Sequence, residues 1–389
     1  MHSAMITFAL TFFLAAEWDT LNAANGVATS PATAPGLPEP VAIRSAMKRV
    51  ADWQLAHPSA SGNRYSEDAW TWGALYTGMM AWSRMGDDPK YHDAMMSMGK
   101  RFEWKPAKRI YHADDHCLTQ TYLELYLDQE TRLAVRDRTM FRPTRERFDY
   151  ILANPSTNSL QFNIKGSQDR WSWCDALFMS PPAWARLYKA TDDRRYLDFM
   201  TREWWVTTDF LYDKDEHLYF RDSTYFDKRE ANGKKVFWSR GNGWVMAGTA
   251  RVLDYLPKDH PDRPRFERLF REMADKVLTC QQSDGLWRAS LLDPESYPLK
   301  ETSGSGFFIY ALAWGVNHGL LDRAKFEPAV LKGWAALVGC VDADGKLTHV
   351  QPVGADPKKF DPNSSDVYGV GAFLLAGSQV HNLPRASLP

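Results

Sequence analysis

The chain has 389 residues, with 47 basic and 48 acidic side chains and a formal net charge of −1. That balance leaves no basic stripe of the kind nucleic acid demands and no polybasic patch for a membrane surface, so a partner must be recognised by shape and hydrogen bonding. The 16 Trp are the compositional excess; a rigid, amphipathic indole suits both a large helical core and a wall that stacks on a sugar ring.

In chain order, the first element is an apolar run from Met5 to Ala16, too short to span a bilayer as a mature helix. Small residues follow at Ala23 and Ala24, so residues 1–24 read as an export leader and residues 25–40, rich in Ala, Thr and Pro, as a linker. The expected location is periplasmic or secreted. No later segment is long and apolar enough to cross a membrane, and the mature chain is expected to be a monomer or homodimer. Residues 41–382 then read as a single domain, with 383–389 as a tail.

Within that domain six segments share one design. Asp68–Arg84, Asp114–Leu127, Trp173–Tyr188, Trp238–Leu256, Thr302–Gly319 and Ser365–Val380 each open with a polar, Trp- or Gly-bearing stretch. Each then runs into small and apolar residues at helical spacing. Their starts lie 46, 59, 65, 64 and 63 residues apart, which holds two helices and their loops. The intervening segments, such as Arg194–Trp205 and Arg263–Thr279, are amphipathic and charged. A long fixed period signals a repeat architecture. Both ends of the array are equally apolar and neither has a polar capping repeat, so the all-α prediction is an (α/α)6 barrel, a six-hairpin toroid, rather than an open solenoid.

A toroid brings the starts of all inner helices to one end, where a pocket is expected. The converging residues are Asp68, Trp70 and Trp72; His112, Asp114, Asp115 and His116; Trp171, Trp173, Asp175 and Met179; Trp238, Arg240, Asn242 and Trp244; Trp287, Arg288, Glu301 and Ser303; and Ser365 and Asp366. The stretch His217-Leu-Tyr-Phe-Arg-Asp222 adds to the rim. Asp175 lies among apolar residues just before Pro181 and Pro182. It reads either as a helix cap or as a carboxyl whose raised pKa makes it a proton donor. Asp114 and Asp115 read as caps favoured by the helix dipole or as the like charge that keeps Asp175 protonated. His112 and His116 are four apart but have no evident third ligand, so no metal site is expected. Arg240-Gly-Asn-Gly-Trp244 lacks the strand and Lys-Ser/Thr ending of a phosphate loop; its Arg reads as a partner for a substrate carboxylate or as part of a structural ion pair. The four cysteines, at 117, 174, 280 and 340, form no metal-binding pair and read as small buried side chains.

Trp173-Cys-Asp-Ala-Leu-Phe-Met179, Trp238-Ser-Arg-Gly-Asn-Gly-Trp244 and Glu301-Thr-Ser-Gly304 resemble, in that order, signatures of the unsaturated glucuronyl and rhamnogalacturonyl hydrolases, glycoside hydrolase families 88 and 105, with the second fitting better. The resemblance spans about residues 40–382. It implies an (α/α)6 barrel that removes a 4,5-unsaturated uronic acid from the non-reducing end of lyase-generated oligosaccharides, from pectin or rhamnogalacturonan foremost, or from ulvan or glycosaminoglycan. An acid protonates C4 of the enol ether, water adds at C5, and the hemiketal opens to expel the remaining sugar. It implies no metal and no organic cofactor. On the motifs, the catalytic acid falls on Asp175 and the second carboxylate on Asp115, with Asp114 as the neighbouring register. The pocket Trp and Met of the resemblance fall on Trp173 and Met179, and the aromatic and Arg of its Gly-Asn-Gly motif on Trp238 and Arg240; Asn242, Trp244, Asp114, His116, Trp72 and Ser303, which converge on the same end, are further candidate substrate contacts. Lys165 stands where related chains place a His before the acid. The same toroid serves sugar 2-epimerases, which need paired His, as well as inverting glycosidases and non-catalytic glycan-binding barrels.

Overall fold

The computed structural model describes residues 37–383 apart from 59–64, 87 and 133–136; the expected leader and nearly all of the expected linker lie outside the described residues. Its outer helices are α1 (Pro40–Ala56), α3 (Lys90–Arg101), α5 (Arg142–Ala153), α8 (Arg195–Leu211), α10 (Arg263–Thr279) and α12 (Arg323–Val338). They alternate with inner helices α2 (Trp70–Ser83), α4 (Thr119–Arg132), the broken pair α6 (Ala176–Met179) and α7 (Pro181–Thr191), α9 (Ser239–Leu253), α11 (Thr302–Asn317) and α13 (Val367–His381). The inner helices touch in the sequence α2, α4, α7, α9, α11, α13, and α13 packs back on α2. The array is therefore a closed ring, the toroid expected from the repeat.

The two classes differ for a physical reason. An outer helix has one dry side, so α10 buries Phe266, Leu269, Phe270, Met273, Ala274 and Val277, which recur three to four residues apart. An inner helix has neighbours all round, and every residue of α9 is buried. Inner helices must also approach closely. A Cβ on Gly78 of α2 would lie 2.4 Å from the carbonyl oxygen of Gly371 on α13, and one on Gly371 would lie 2.3 Å from that of Ala74. Only glycine allows the seam of the ring to close.

Away from their starts the inner helices share an ionic cluster centred on one buried carboxylate. Glu124 of α4 is 1% exposed. It accepts from Arg84 (2.9 Å), Arg186 (2.8 Å) and Arg251 (2.7 Å). Burial alone would raise its pKa, and the three guanidinium groups hold it well below the usual carboxylate range instead. One carboxylate thus ties α2, α4, α7 and α9 together.

A short antiparallel pair, β1 (Tyr212–Asp213) and β2 (Leu218–Tyr219), follows α8. Cys117, Cys174, Cys280 and Cys340 are all buried free thiols. No helix among the described residues is long and apolar enough to cross a membrane.

Candidate active site

The starts of the inner helices surround a cavity of about 110 Å³ lined by Trp70, Asp114, Trp173, Asp175, Met179, Arg221, Trp238, Trp244, Val353 and Gly354. Its walls come from α2, α6, α9 and the four segments that carry Asp114, Trp173, Arg221 and Val353.

The third inner helix is broken to make room for the central carboxyl. Pro181 and Pro182 occupy the first turn of α7, where proline is favoured because its missing N–H is not needed. Ser180 sits at the break, in hydrogen bonds with Trp184 Nε1 (3.0 Å) and His116 Nδ1 (2.8 Å). Asp175 precedes the four-residue α6 and its side chain makes no capping hydrogen bond, so the helix-cap reading fails. Its Oδ1 is buried with no hydrogen-bond partner, and its Oδ2 accepts from Arg221 Nε at 3.3 Å. Burial pushes the Asp175 pKa up, against the positive charges of Arg221 and Arg240, with Asp222 adding to the rise. A half-satisfied carboxyl in an aromatic cavity is an unfavourable arrangement for stability and a useful one for holding a proton.

Asp114 is the second carboxyl of the wall. Burial, then the charge of Asp175, raises its pKa to about 7, with Arg109 opposing. The expected partner, Asp115, points elsewhere. Its carboxylate accepts from the Arg109 backbone N–H (2.6 Å), Nε (3.0 Å) and Nη2 (2.6 Å), which fastens the loop before Asp114. The two adjacent acids sit in a 3₁₀ turn, Ala113–His116, whose tight pitch sends neighbouring side chains in different directions. Residue 115 is therefore corrected from a catalytic position to an anchoring one.

His112 accepts from the Asp114 N–H through Nδ1 (3.3 Å) and lies 4.9 Å from the Trp173 ring. Burial, then Arg109, lowers its pKa to about 4, so it is neutral near pH 7. Both nitrogens of His116 are engaged, by Ser180 and by the Ile110 carbonyl (2.9 Å). His116 therefore braces the break in the third inner helix rather than meeting a ligand.

Three further expected contacts lie behind the wall. Arg240 donates from Nη1 to the Gln351 carbonyl (2.5 Å) and from Nη2 to that of Pro352 (2.9 Å), stacked 4.5 Å from Trp238 and 4.8 Å from Tyr368. It pulls residues 351–354 over the cavity instead of facing it. Gln351 is the hub of that attachment. Its Oε1 accepts from Trp238 Nε1 (2.8 Å), its carbonyl from the Tyr368 hydroxyl (2.6 Å), and its Nε2 donates to the Asp356 carbonyl (2.9 Å). Asn242 accepts from the Tyr219 N–H (2.7 Å) and donates to the Tyr219 carbonyl (3.1 Å), holding β2 against α9. Ser303 donates to Glu301 Oε1 (2.5 Å), and Glu301 caps α11 by accepting from the Ser303 and Gly304 N–H groups. Trp72 is half-buried and packs on Tyr76, and Lys165 is exposed; neither is part of the wall.

Arg221, Val353 and Gly354 were not among the expected contacts. The sequence places the stretch that carries Arg221 at the rim, and the structure brings it in by pairing Trp173 with Asp222 and Cys174 N–H with the Arg221 carbonyl (2.8 Å). Val353 and Gly354 carry no pattern of their own; they arrive because Arg240 grips the two carbonyls before them.

The model of the family described as Glycosyl Hydrolase Family 88 matches residues 44–383. A relative from Alteromonas sp. (strain LOR), named unsaturated 3S-rhamnoglycuronyl hydrolase, is 38% identical over 362 residues, covering 87% of this chain and 86% of its own. A relative of the same name from Formosa agariphila is 40% identical over 349 residues, covering 88% and 91%. A solved structure described as a glycosyl hydrolase family 88 protein from Bacteroides vulgatus superposes with a TM-score of 0.79 and 31% identity, covering 89% of this chain and all of that one.

Proposed function

The chain belongs to glycosyl hydrolase family 88 and is a glycoside hydrolase, and from that premise we propose that it removes a 4,5-unsaturated uronic acid from an oligosaccharide whose next sugar is a 3-sulfated rhamnose. The unsaturated uronyl group follows from the family and from the names of both relatives; the sulfated rhamnose rests on those names alone. The observation that carries the reading is Asp175, a buried carboxyl with an unpartnered Oδ1 in an aromatic cavity shared with a second raised carboxyl, Asp114.

The sugar ring enters among Trp70, Trp173, Trp238 and Trp244, whose flat faces exclude water. Asp175, in its protonated form, gives its proton to C4, and the enol-ether electron pair forms the new C4–H bond. Positive charge develops at C5 and the ring oxygen, beside a carboxylate that is now ionised. Water adds at C5 and returns a proton to Asp175. The resulting hemiketal opens, and C1 releases the remaining saccharide. One water is consumed and the acid is regenerated. Asp114 keeps a proton on the carboxyl pair near pH 7, because two close carboxylates resist ionising together. A sugar 2-epimerase is disfavoured, since His112 and His116 are occupied by Asp114, Ser180 and Ile110. The apolar run Met5–Ala16 supports an exported enzyme.

The test is the ultraviolet absorbance of the unsaturated uronyl group during incubation with lyase-digested ulvan, rhamnogalacturonan and glycosaminoglycan pools. Loss of absorbance in the ulvan pool foremost is expected. Consumption of rhamnogalacturonan fragments alone would overturn the sulfated-rhamnose assignment, and no loss in any pool would overturn the reaction.

A further inference from the structure

Arg240 stands in the motif and reads from sequence as the partner of a substrate carboxylate, yet in the fold it is fully buried and both terminal nitrogens are spent on the carbonyls of Gln351 and Pro352. The guanidinium in the cavity wall belongs to Arg221. Its Nη1 donates to Asp222 (2.6 Å), its Nε to Asp175 (3.3 Å), and one face rests 4.6 Å from the Phe162 ring. Phe162 is itself fixed, its N–H donating to Ser223 Oγ (3.0 Å). Nη2 is the one terminal nitrogen that donates no hydrogen bond among the described residues. A planar fork held on three sides with one nitrogen left over is organised in advance for an incoming carboxylate oxygen.

We propose that Arg221 is the specificity-determining residue that receives the uronic acid carboxylate, and that its occupation drives a proton onto the Asp114–Asp175 pair. The proposal rests on the reading of the reaction given above. Its logic is electrostatic. The charges that act on Asp175 are those of Arg221 and Asp222 from the segment after β2, of Arg240 from α9 behind the wall, and of Asp114 from the turn before α4. The adjoining thiol of Cys174 is kept neutral by burial. In the free protein Arg221 favours the ionised form of Asp175 and so works against proton donation. A carboxylate bound at Arg221 offsets that charge and adds a negative one nearby, and both effects favour a protonated pair. The substrate thereby reinforces the acid that acts on it, and a neutral sugar that fits the cavity adds no such bias.

The experiment is calorimetric titration of the full-length protein with glucuronate and with neutral glucuronamide, in two buffers of different ionisation enthalpy, near pH 8. Neither probe is turned over, so the outcome is independent of whether unsaturated oligosaccharides are consumed, which the absorbance assay decides separately. The wild type is expected to prefer glucuronate by about tenfold or more and to take up protons only with that ligand. Arg221→Gln should lose both the preference and the uptake, while Arg221→Lys should retain a reduced preference. Equal binding of the two probes by the wild type, buffer-independent heats, or an undiminished preference in Arg221→Gln would each overturn the proposal. A role confined to holding Asp222 would weaken both probes together and leave their ratio unchanged.

Discussion

Replacing Asp114 with Asn is expected to stabilise the protein while disabling it, and the gain should depend on pH. The carboxyl has a pKa of about 7 in the fold against an ordinary 3.8. Below 3.8 it is protonated in folded and unfolded chains alike and adds no pH-dependent cost. As pH rises through the interval, the unfolded chain ionises freely while the folded one resists, so stability falls until pH passes about 7 and then levels. The full difference, at about 1.36 kcal/mol per pH unit, amounts to about 4 kcal/mol. Near pH 5 the same reasoning leaves about 2 kcal/mol. The amide of Asn carries no such dependence. Urea denaturation of wild type and Asp114→Asn at pH 5 and pH 8 measures the advantage directly, and the absorbance assay on the same preparations measures the loss of activity. Equal stability at pH 8, or an advantage that does not shrink at pH 5, would refute the argument that this carboxyl is held protonated against solvent.

Other outcomes follow from neighbouring residues. Asp175→Asn should lower kcat/KM by about 10³, the scale of a general acid, without lowering the midpoint of thermal unfolding, because its side chain caps nothing. Initial rates should fall as pH rises through about 7, where Asp114 ionises and its support for a proton in the cavity is lost. Glu124→Gln leaves the buried Arg186 and Arg251 without their carboxylate, while Arg84 keeps Asp128, and should cost about 3–5 kcal/mol; turnover per folded molecule should be unchanged, as none of these residues lines the cavity. Gly371→Ala presses a methyl against the Ala74 carbonyl and should cost about 1–3 kcal/mol in denaturant titrations.

What the sequence made legible was governed by spacing along a single element. Small and apolar residues at helical intervals, repeated about every sixty residues, specify inner helices and hence a ring. Asp175 could be singled out because the prolines behind it mark a helix start. The errors arose where contacts cross between elements. Arg240, Asn242 and Ser303 are polar residues in a Gly-bearing motif and so resemble ligands. The groups they serve, the carbonyls of 351 and 352, the backbone of Tyr219 and the carboxylate of Glu301, come together only in the closed fold. Asp114 and Asp115 illustrate a subtler limit. Both suit a helix start, and only the conformation of one short turn decides which carboxyl meets the cavity and which meets Arg109.

The seam between Gly78 and Gly371 also bears on how the molecule comes into being. The ring is completed by a contact between residues almost three hundred positions apart, so it cannot close until α13 has been made. Topologies dominated by such distant contacts fold slowly. Before α13 arrives, the nascent protein is an open arc with two apolar flanks, one on α2 and one on α11. Those flanks are complementary to each other's missing neighbour, so two unfinished arcs can complete one another in place of closing on themselves. The final helix thus acts as a clasp, and the glycines that let it lie flat guard against entangled pairs as well as sealing the barrel.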